Sequence, residues 1–391
     1  MPQRWLILAI LTFARASIGF QFQSVATLSP FLLDQFGMSY AALGTLIGIY
    51  LFPGIAVALP GGVFGQRYGD KTMACIGLAA MTMGGQLMAQ AEGTTLLMLG
   101  RVLSGTGAIL FNVLVTKMVT DWFQGREVVT ALGILVTSWP LGIAMALLIL
   151  PPIAGTHSWS SAMYLTAAFS GAALLLTVFA YRAPAGDSGA AAGSFEFDLS
   201  ARELGLTTLA GLVWTFYNVG FIVMMAFGPD FIVASGWSAG TANAMISTVS
   251  WVVIPALPLG AWLAERINRP YRTMIRCFLA AALAIWFVPI LSPSVPLFTL
   301  IGLLLALPAG LIMALPGKSV RPERLAIAMG VYFTCHYGGI GLLSALAGYT
   351  RDLTGSPAAP LWFAGAMLIF ATLMLMQFRS VYSRAPDAAR A

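Results

Sequence analysis

The sequence predicts an all-α membrane protein with twelve transmembrane helices in two six-helix bundles, and three observations predict it. The first is composition. Of 391 residues 59% are apolar and 9% charged, with a mean hydropathy of +0.87, whereas soluble chains carry roughly 25% charged residues. The second is the recurrence along the whole chain of apolar stretches of about 20 residues, each enough to cross a hydrocarbon layer of about 30 Å. The third is an internal echo between the two halves of the chain.

The stretches place helices at 5–33, 40–66, 72–91, 94–118, 127–151, 158–182, 204–229, 239–265, 272–291, 296–317, 324–350 and 358–379. Glycine (41) and proline (21) fall inside them, as membrane helices allow because neighbouring helices re-satisfy freed backbone groups. An even number of spans puts both termini on one side. That side holds 17 of the 20 Lys and Arg residues; Arg351 alone lies opposite, and Arg15 and Arg101 lie within spans. The positive-inside rule then orients both termini to the cytoplasm of the cell (inner or plasma) membrane. The net charge of +6 is thereby explained by the lipid bilayer and needs no nucleic-acid partner. Ala14-Arg15-Ala16 mimics a signal-peptide cleavage site, but apolar sequence continues to Leu33, so the segment is expected to stay as span 1. Cys75, Cys277 and Cys335 lack metal or disulfide spacing and read as packing residues; neither a metal nor another cofactor is expected.

Between Arg182 and Arg202 the chain turns polar and flexible (Ala185-Gly186-Asp187-Ser188-Gly189). This divides it into residues 1–182, a cytoplasmic linker at 183–203, and residues 204–391. The halves echo each other. Pro30, Gly37 and Ser39 meet Pro229, Gly236 and Ser238 at an offset of 199, as Gln66-Arg67 meets Glu265-Arg266; Gly133 and Gly142 meet Gly330 and Gly339 at 197. Repeats of six spans are the mark of transporters that rock two bundles about a midplane site.

Between spans 2 and 3 runs Gly62-Val63-Phe64-Gly65-Gln66-Arg67-Tyr68-Gly69-Asp70-Lys71, which resembles the signature loop of major facilitator transporters. Two positions depart from that pattern: the usual acid is Gln66, and a usual basic position is Asp70. The resemblance implies a charge clamp between loop and bundle, rearranged here. The second copy restores the acid as Glu265-Arg266. In span 4, Gly100-Arg101-Val102-Leu103-Ser104-Gly105-Thr106-Gly107 is similar to the family's span-4 arginine motif. With Lys117-Met118-Val119-Thr120-Asp121-Trp122-Phe123 it looks like the small-anion branch of nitrate and cyanate/nitroimidazole-type porters. Span 5 reads Thr137-Ser138-Trp139-Pro140-Leu141-Gly142 in place of the dense glycine–asparagine signature of nitrate porters, so nitrate is not the expected cargo. The resemblance implies the major facilitator fold and rocker-switch alternating access.

All 14 acids fall in loops or at span ends. Proton-coupled sugar symporters and cation exporters generally use a buried acid, and this chain offers none. It keeps two arginines instead. Arg15 lies ten residues into span 1, about 15 Å deep at 1.5 Å per residue. An arginine at such depth costs roughly 2.5–3.5 kcal/mol on insertion scales and must face the bundle interior or a wet cavity. With no buried acid, an anionic substrate or backbone carbonyls must match it, and a guanidinium fork suits planar oxyanions. Bracing neighbouring helices is the plainer alternative, and weighs more for Arg101. Gly105, Ala108 and Asn112 share the face of Arg101 at helical spacing. His336, in Thr334-Cys335-His336-Tyr337-Gly338, is the intramembrane group that titrates near neutrality; packing or a coupled proton are both open to it. Gln21, Gln23, Tyr217, Asn218, Ser247 and Ser250 sit on spans that line the cavity in this family, where Trp139, Trp214 and Trp251 could form apolar walls.

The expected function is therefore secondary transport of a small organic or inorganic anion, by a monomer, as symport or exchange. The substrate-binding candidates are Arg15, Gln23, Arg101, Asn112, Trp139, Tyr217, Asn218 and His336. Gly62, Gln66, Arg67, Gly69, Asp70, Lys71, Glu265 and Arg266 are expected in the signature loops and gating. Export of neutral or zwitterionic drugs is the alternative, and a ligand sensor without transport a weaker one. An enzyme is disfavoured because His157 and His336 have no acid or Cys cluster with ligand spacing.

Overall fold

The computed structural model describes residues 3–123, 127–184, 199–266, 269–321 and 324–383, and the regular elements among them are all helical. Span 1 is α1 (Gln3–Thr27) with α2 (Ser29–Phe36), and span 2 is α3 (Tyr40–Gly48) with α4 (Gly54–Tyr68). Spans 3 to 6 are α5 (Asp70–Ala89), α6 (Thr94–Trp122), α7 (Val128–Thr156) and α8 (Trp159–Ala180). Spans 7 to 9 are α9 (Ala201–Ala234), α10 (Ala239–Arg266) and α11 (Pro270–Phe287). Span 10 is α12 (Val295–Met313) with α13 (Leu315–Ser319); α14 (Leu325–Thr354) and α15 (Ala359–Ser383) are spans 11 and 12. Nine of the spans, among the described residues, are long and apolar enough to cross a bilayer by themselves; spans 2, 9 and 11 complete the twelve. Most of the linker, 185–198, lies outside the described residues.

In the first six spans α5 packs on α6 and α8, and α1 on α7; in the second six α9 packs on α14 and α15, α10 on α12, and α11 on α15. The echo between halves has a structural cause. Gly37 (φ +57°) and Gly236 (φ +94°) each turn the chain in a left-handed conformation that glycine adopts without a Cβ penalty. Two residues later Ser39 and Ser238 cap the next helix, accepting from Ala42 N at 3.1 Å and Thr241 N at 3.2 Å, as N-cap hydroxyls do.

Span 2 breaks after Gly48 and resumes past Pro53, which has no N–H to continue a helix. The break frees the Leu46 carbonyl in the last turn of α3, and Arg101 takes it, donating from Nε at 3.0 Å. The same guanidinium donates from Nη1 to Gln21 O (2.7 Å) and from Nη2 to Phe22 O (2.6 Å), with the Tyr50 ring 4.3 Å below it. Arg101 is fully buried, so its charge is dispersed over three carbonyl dipoles and an aromatic face. It ties spans 1, 2 and 4 together.

The two halves meet where α14 packs on α3 and α4, and α10 on α7. The face of the molecule away from the termini is sealed. There Asp352, at the end of α14, accepts from Tyr40 N (2.9 Å) and Ala41 N (2.7 Å), capping α3 from the other half. Asp230 accepts from the Tyr40 hydroxyl at 3.1 Å and pairs with Arg351 Nε at 3.2 Å, while the Arg351 guanidinium lies 4.8 Å from the Tyr40 ring. Below this polar layer backbones touch. A Cβ on Gly44 would run into Ser344 O, on Gly48 into Gly341 O, and on Gly348 into Tyr40 O, the close approach that small residues permit between membrane helices. At the face carrying the termini no hydrogen bond or ion pair joins the halves among the described residues.

Two measurements check this reading. Gly348→Leu should hold the far face open, and spin labels at Met38 and Ser356 should then show a longer distance population than in the parent protein. Arg101→Leu strands three buried carbonyls at roughly 1–3 kcal/mol each. Thermal unfolding in detergent should register a loss of about 3 kcal/mol or more, and an unchanged melting temperature would contradict the bracing role.

Candidate functional site

The centre of the molecule is organised by a proline. Pro140, inside α7, has no N–H to offer the Val136 carbonyl one turn earlier, and in a bilayer no water replaces it. Arg15 of α1 fills the gap. Its Nη1 donates to Leu135 O (2.8 Å), Val136 O (3.3 Å) and Ser138 Oγ (3.1 Å), and its Nε donates to Asn112 Oδ1 of α6 at 2.9 Å. Ser138 Oγ in turn donates to Leu135 O. The approach of α1 to α7 is set by glycine, since a Cβ on Gly19 would meet the Trp139 backbone and one on Gly142 the Ala16 carbonyl.

Arg15 is half-buried, and among the described residues no group accepts from its Nη2. Two N–H bonds of the guanidinium are therefore available to something else. No carboxylate is at hand, because the described acids lie at the span ends and loops. The second half faces this point with α14. Tyr337 sits within hydrogen-bond reach of Asn112, and His336, 8% exposed, packs between Trp214 (5.8 Å), Phe333 (6.3 Å) and Tyr337 (5.3 Å between ring centroids). Two polar atoms in this wall, His336 Nδ1 and Trp214 Nε1, are buried without a partner. An arginine fork from the first half and an aromatic wall with unused polar atoms from the second thus come together around Asn112 and Tyr337.

Of the residues expected to bind substrate, Arg15 and Asn112 meet directly, and His336 joins them through Tyr337. The others have different surroundings. Arg101 is spent on three carbonyls, as described. Gln23 is buried and donates to Met225 O of α9 at 3.2 Å, linking the halves at mid-span. Trp139 lies 5.4 Å from the Phe22 ring. The Tyr217 hydroxyl donates to Leu305 O at 2.5 Å, inside the second half, and Asn218 Nδ2 donates to Trp214 O at 2.8 Å. Sequence reasoning missed Tyr337, Ser138 and the part played by Pro140, although all three stand in motifs it singled out. It also missed the far-face layer of Tyr40, Asp230, Arg351 and Asp352, whose members are distant in sequence.

Around the signature loop, Asp70 is buried at the start of α5 and pairs with Lys117 of α6, which also holds Asp121 at 2.9 Å. Lys71 donates to Val178 O and Tyr181 O, both at 2.8 Å, closing the end of α8. Gly69 makes the turn at φ +88°, and the Arg67 guanidinium lies 5.4 Å from the Tyr68 ring. Gly62 and Gln66 lie on α4, and Glu265 and Arg266 on α10; their side chains are outside the described residues.

The chain matches the Major Facilitator Superfamily model over residues 11–343 and 209–390. It is similar to the hexuronate transporter of Bacillus subtilis (strain 168), 21% identical over 380 residues, covering 90% of this chain and 88% of that one. It is also similar to the oxalate:formate antiporter of Oxalobacter formigenes, 23% identical over 299 residues, covering 75% and 70%. In fold it resembles the inward-open xylose transporter XylE from E. coli, with a TM-score of 0.78 at 12% identity over 96% of each chain. Twelve spans, a repeat built on matched turns, a signature loop closed by Asp70 and Lys117, and a family model matched across most of the sequence lead to one conclusion. The chain belongs to the major facilitator superfamily, a multi-pass membrane transporter and not an enzyme.

Proposed function

We propose that this transporter moves a small organic anion by rocker-switch alternating access, with Arg15 as the group that binds the anion's charge. The observation that carries the reading is that, among the described residues, Nη2 of Arg15 has no acceptor and no carboxylate lies in the membrane interior. Placing a cation beside it would add repulsion that nothing nearby offsets, whereas an anion supplies the missing counter-charge and accepts the unused N–H bonds. Asn112 and the carbonyls of Leu135 and Val136 hold the fork in one orientation. Anion binding therefore costs little side-chain entropy. Two relatives carry names that denote organic acids, hexuronate and oxalate with formate, which supports the same class here.

The far face is shut by Asp352 on α3 and by the Asp230–Arg351–Tyr40 layer. In this reading access is from the face of the termini, which the charge bias of the loops orients to the cytoplasm. In this reading residues 1–182 and 204–391 rock as units joined by 183–203. The seal at Tyr40 and Asp352 breaks when the cargo meets the other side. The substrate stands between Arg15 of one unit and the His336–Trp214 wall of the other, so its binding favours the closure of both upon it.

Uptake of labelled organic acids into proteoliposomes tests the assignment. Arg15→Ala should reduce uptake by roughly 30-fold or more, the loss expected when one partner of a buried hydrogen-bonded charge pair is removed. Arg15→Lys keeps the charge without the fork and should fall between. Transport that is undiminished in Arg15→Ala, or thermal stabilisation by cationic compounds alone, would overturn it.

A further inference from the structure

Among the described residues, several basic groups at the face of the termini have protein partners. Arg4 pairs with Glu127 at 2.9 Å, Lys117 with Asp70 and Asp121, and Arg324 with Glu203 at 2.9 Å, while Lys71 closes α8. One cluster differs. Arg269, Pro270, Tyr271, Arg272 and Arg379 line a cavity of about 370 Å³ where the start of α11 meets the end of α15. Lys318 Nζ lies 5.5 Å from the Tyr271 ring centroid on the same side. Among the described residues none of Arg269, Arg272, Arg276 and Arg379 pairs with a carboxylate. The first turn of α11 has neither a side-chain cap nor an acid, so its free N–H groups add to the positive potential.

From two of the cavity's arginines, exposed apolar stripes run along the helices. On α11, Arg272 and Arg276 are exposed at a spacing of four, and the same face continues as Leu279 (38% exposed), Leu283 (52%) and Phe287 (46%). On α15, Phe370 (45%), Leu373 (47%) and Met376 (51%) lead to exposed Arg379. The two helices pack side by side. In a membrane-spanning protein these stripes are in acyl chains. Arg276 lies six residues into α11, about 9 Å along its axis, and a lipid-facing guanidinium at that depth needs an anion close above it. Exposed apolar stripes below and clustered arginines above match the two ends of one phospholipid molecule. Free phosphate would use only the upper part.

We propose that the paired face of α11 and α15 binds one anionic phospholipid, its phosphate among Arg269, Arg272 and Arg379 and its acyl chains along the two stripes. Basic pockets between helices at this level are suited to anionic headgroups. The site is independent of the substrate cavity, and its test does not read transport.

The test is thermal unfolding of the purified full chain in neutral detergent, titrated with phosphatidylglycerol, phosphatidylcholine or inorganic phosphate. Phosphatidylglycerol should stabilise saturably, and the doubly substituted Arg272→Gln/Arg379→Gln protein should need roughly 10-fold more of it or more, at about 1 kcal/mol per basic residue. Arg272→Lys/Arg379→Lys should recover most of the affinity. Arg182→Gln/Arg202→Gln removes the same charge from the same face and should bind like the parent. Equal stabilisation by phosphatidylcholine, full stabilisation by inorganic phosphate alone, or equal weakening in both glutamine pairs would overturn the proposal.

Discussion

A carbonyl released from its helix inside a bilayer has no water to turn to, and in this protein guanidinium groups take that place. Pro140 and the break before Pro53 each interrupt a helix at mid-membrane, and each interruption is met by an arginine from another span. Proline without arginine would leave stranded acceptors; arginine without proline would leave a buried charge with few partners. The two depend on each other. Together they fix α1 against α6 and α7, and hold the broken span 2 against spans 1 and 4. The far-face seal on α3 rests on that frame.

The same chemistry separates two arginines that look alike in sequence. Arg101 has three carbonyls and an aromatic face around it, donates from all three nitrogens, and is fully buried. Among the described residues Arg15 donates from Nε and Nη1 alone, and it remains half-buried. The first is saturated and therefore structural. The second keeps one edge of its fork unspent among the described residues, and the proposed function gives that edge to the anion. Burial depth alone does not distinguish them; a count of donors does.

Much of the fold was legible in the sequence because a bilayer imposes a length on apolar segments, and the matched Gly–x–Ser turns at 37–39 and 236–238 mark the same left-handed corner twice. The breaks within spans 1, 2 and 10 were not read from the sequence, because Pro30, Pro53 and Pro316, which mark them, look no different there from the prolines that α7, α9 and α10 carry inside continuous helices. At the site, depth and the absence of acids singled out Arg15; helical spacing put Asn112 on the face of Arg101, and its contact with Arg15 comes from the packing of α1 on α6. Tyr217 and Asn218 could not be resolved in the same way. Their hydroxyl and amide turn to Leu305 O and Trp214 O, and which face of α9 meets the cavity depends on a rotation that side-chain periodicity in a uniformly apolar helix does not encode. The far-face layer was hidden for another reason: Tyr40 and Asp352 are 312 residues apart, and nothing local to either announces the other.

The distribution of chemistry between the halves bears on how the molecule could move. The first half contributes the charge, through Arg15 and Asn112; the second contributes His336, Trp214 and Tyr337, which carry ring faces and unpartnered polar atoms. An anion held by Arg15 alone would stabilise one half and leave the rocking equilibrium where it was, because a ligand shifts an equilibrium only by its differential affinity for the two states. Contact with the second wall makes binding depend on the approach of the halves. The seal at the far face is held by capping and aromatic contacts of Tyr40 with Asp352, Asp230 and Arg351, near the surface where water can take over each partner. In the proposed cycle these polar contacts, partly buried at Asp230 and Arg351 and exposed at Asp352, are the ones exchanged, whereas the three buried carbonyl bonds of Arg101 stay in place.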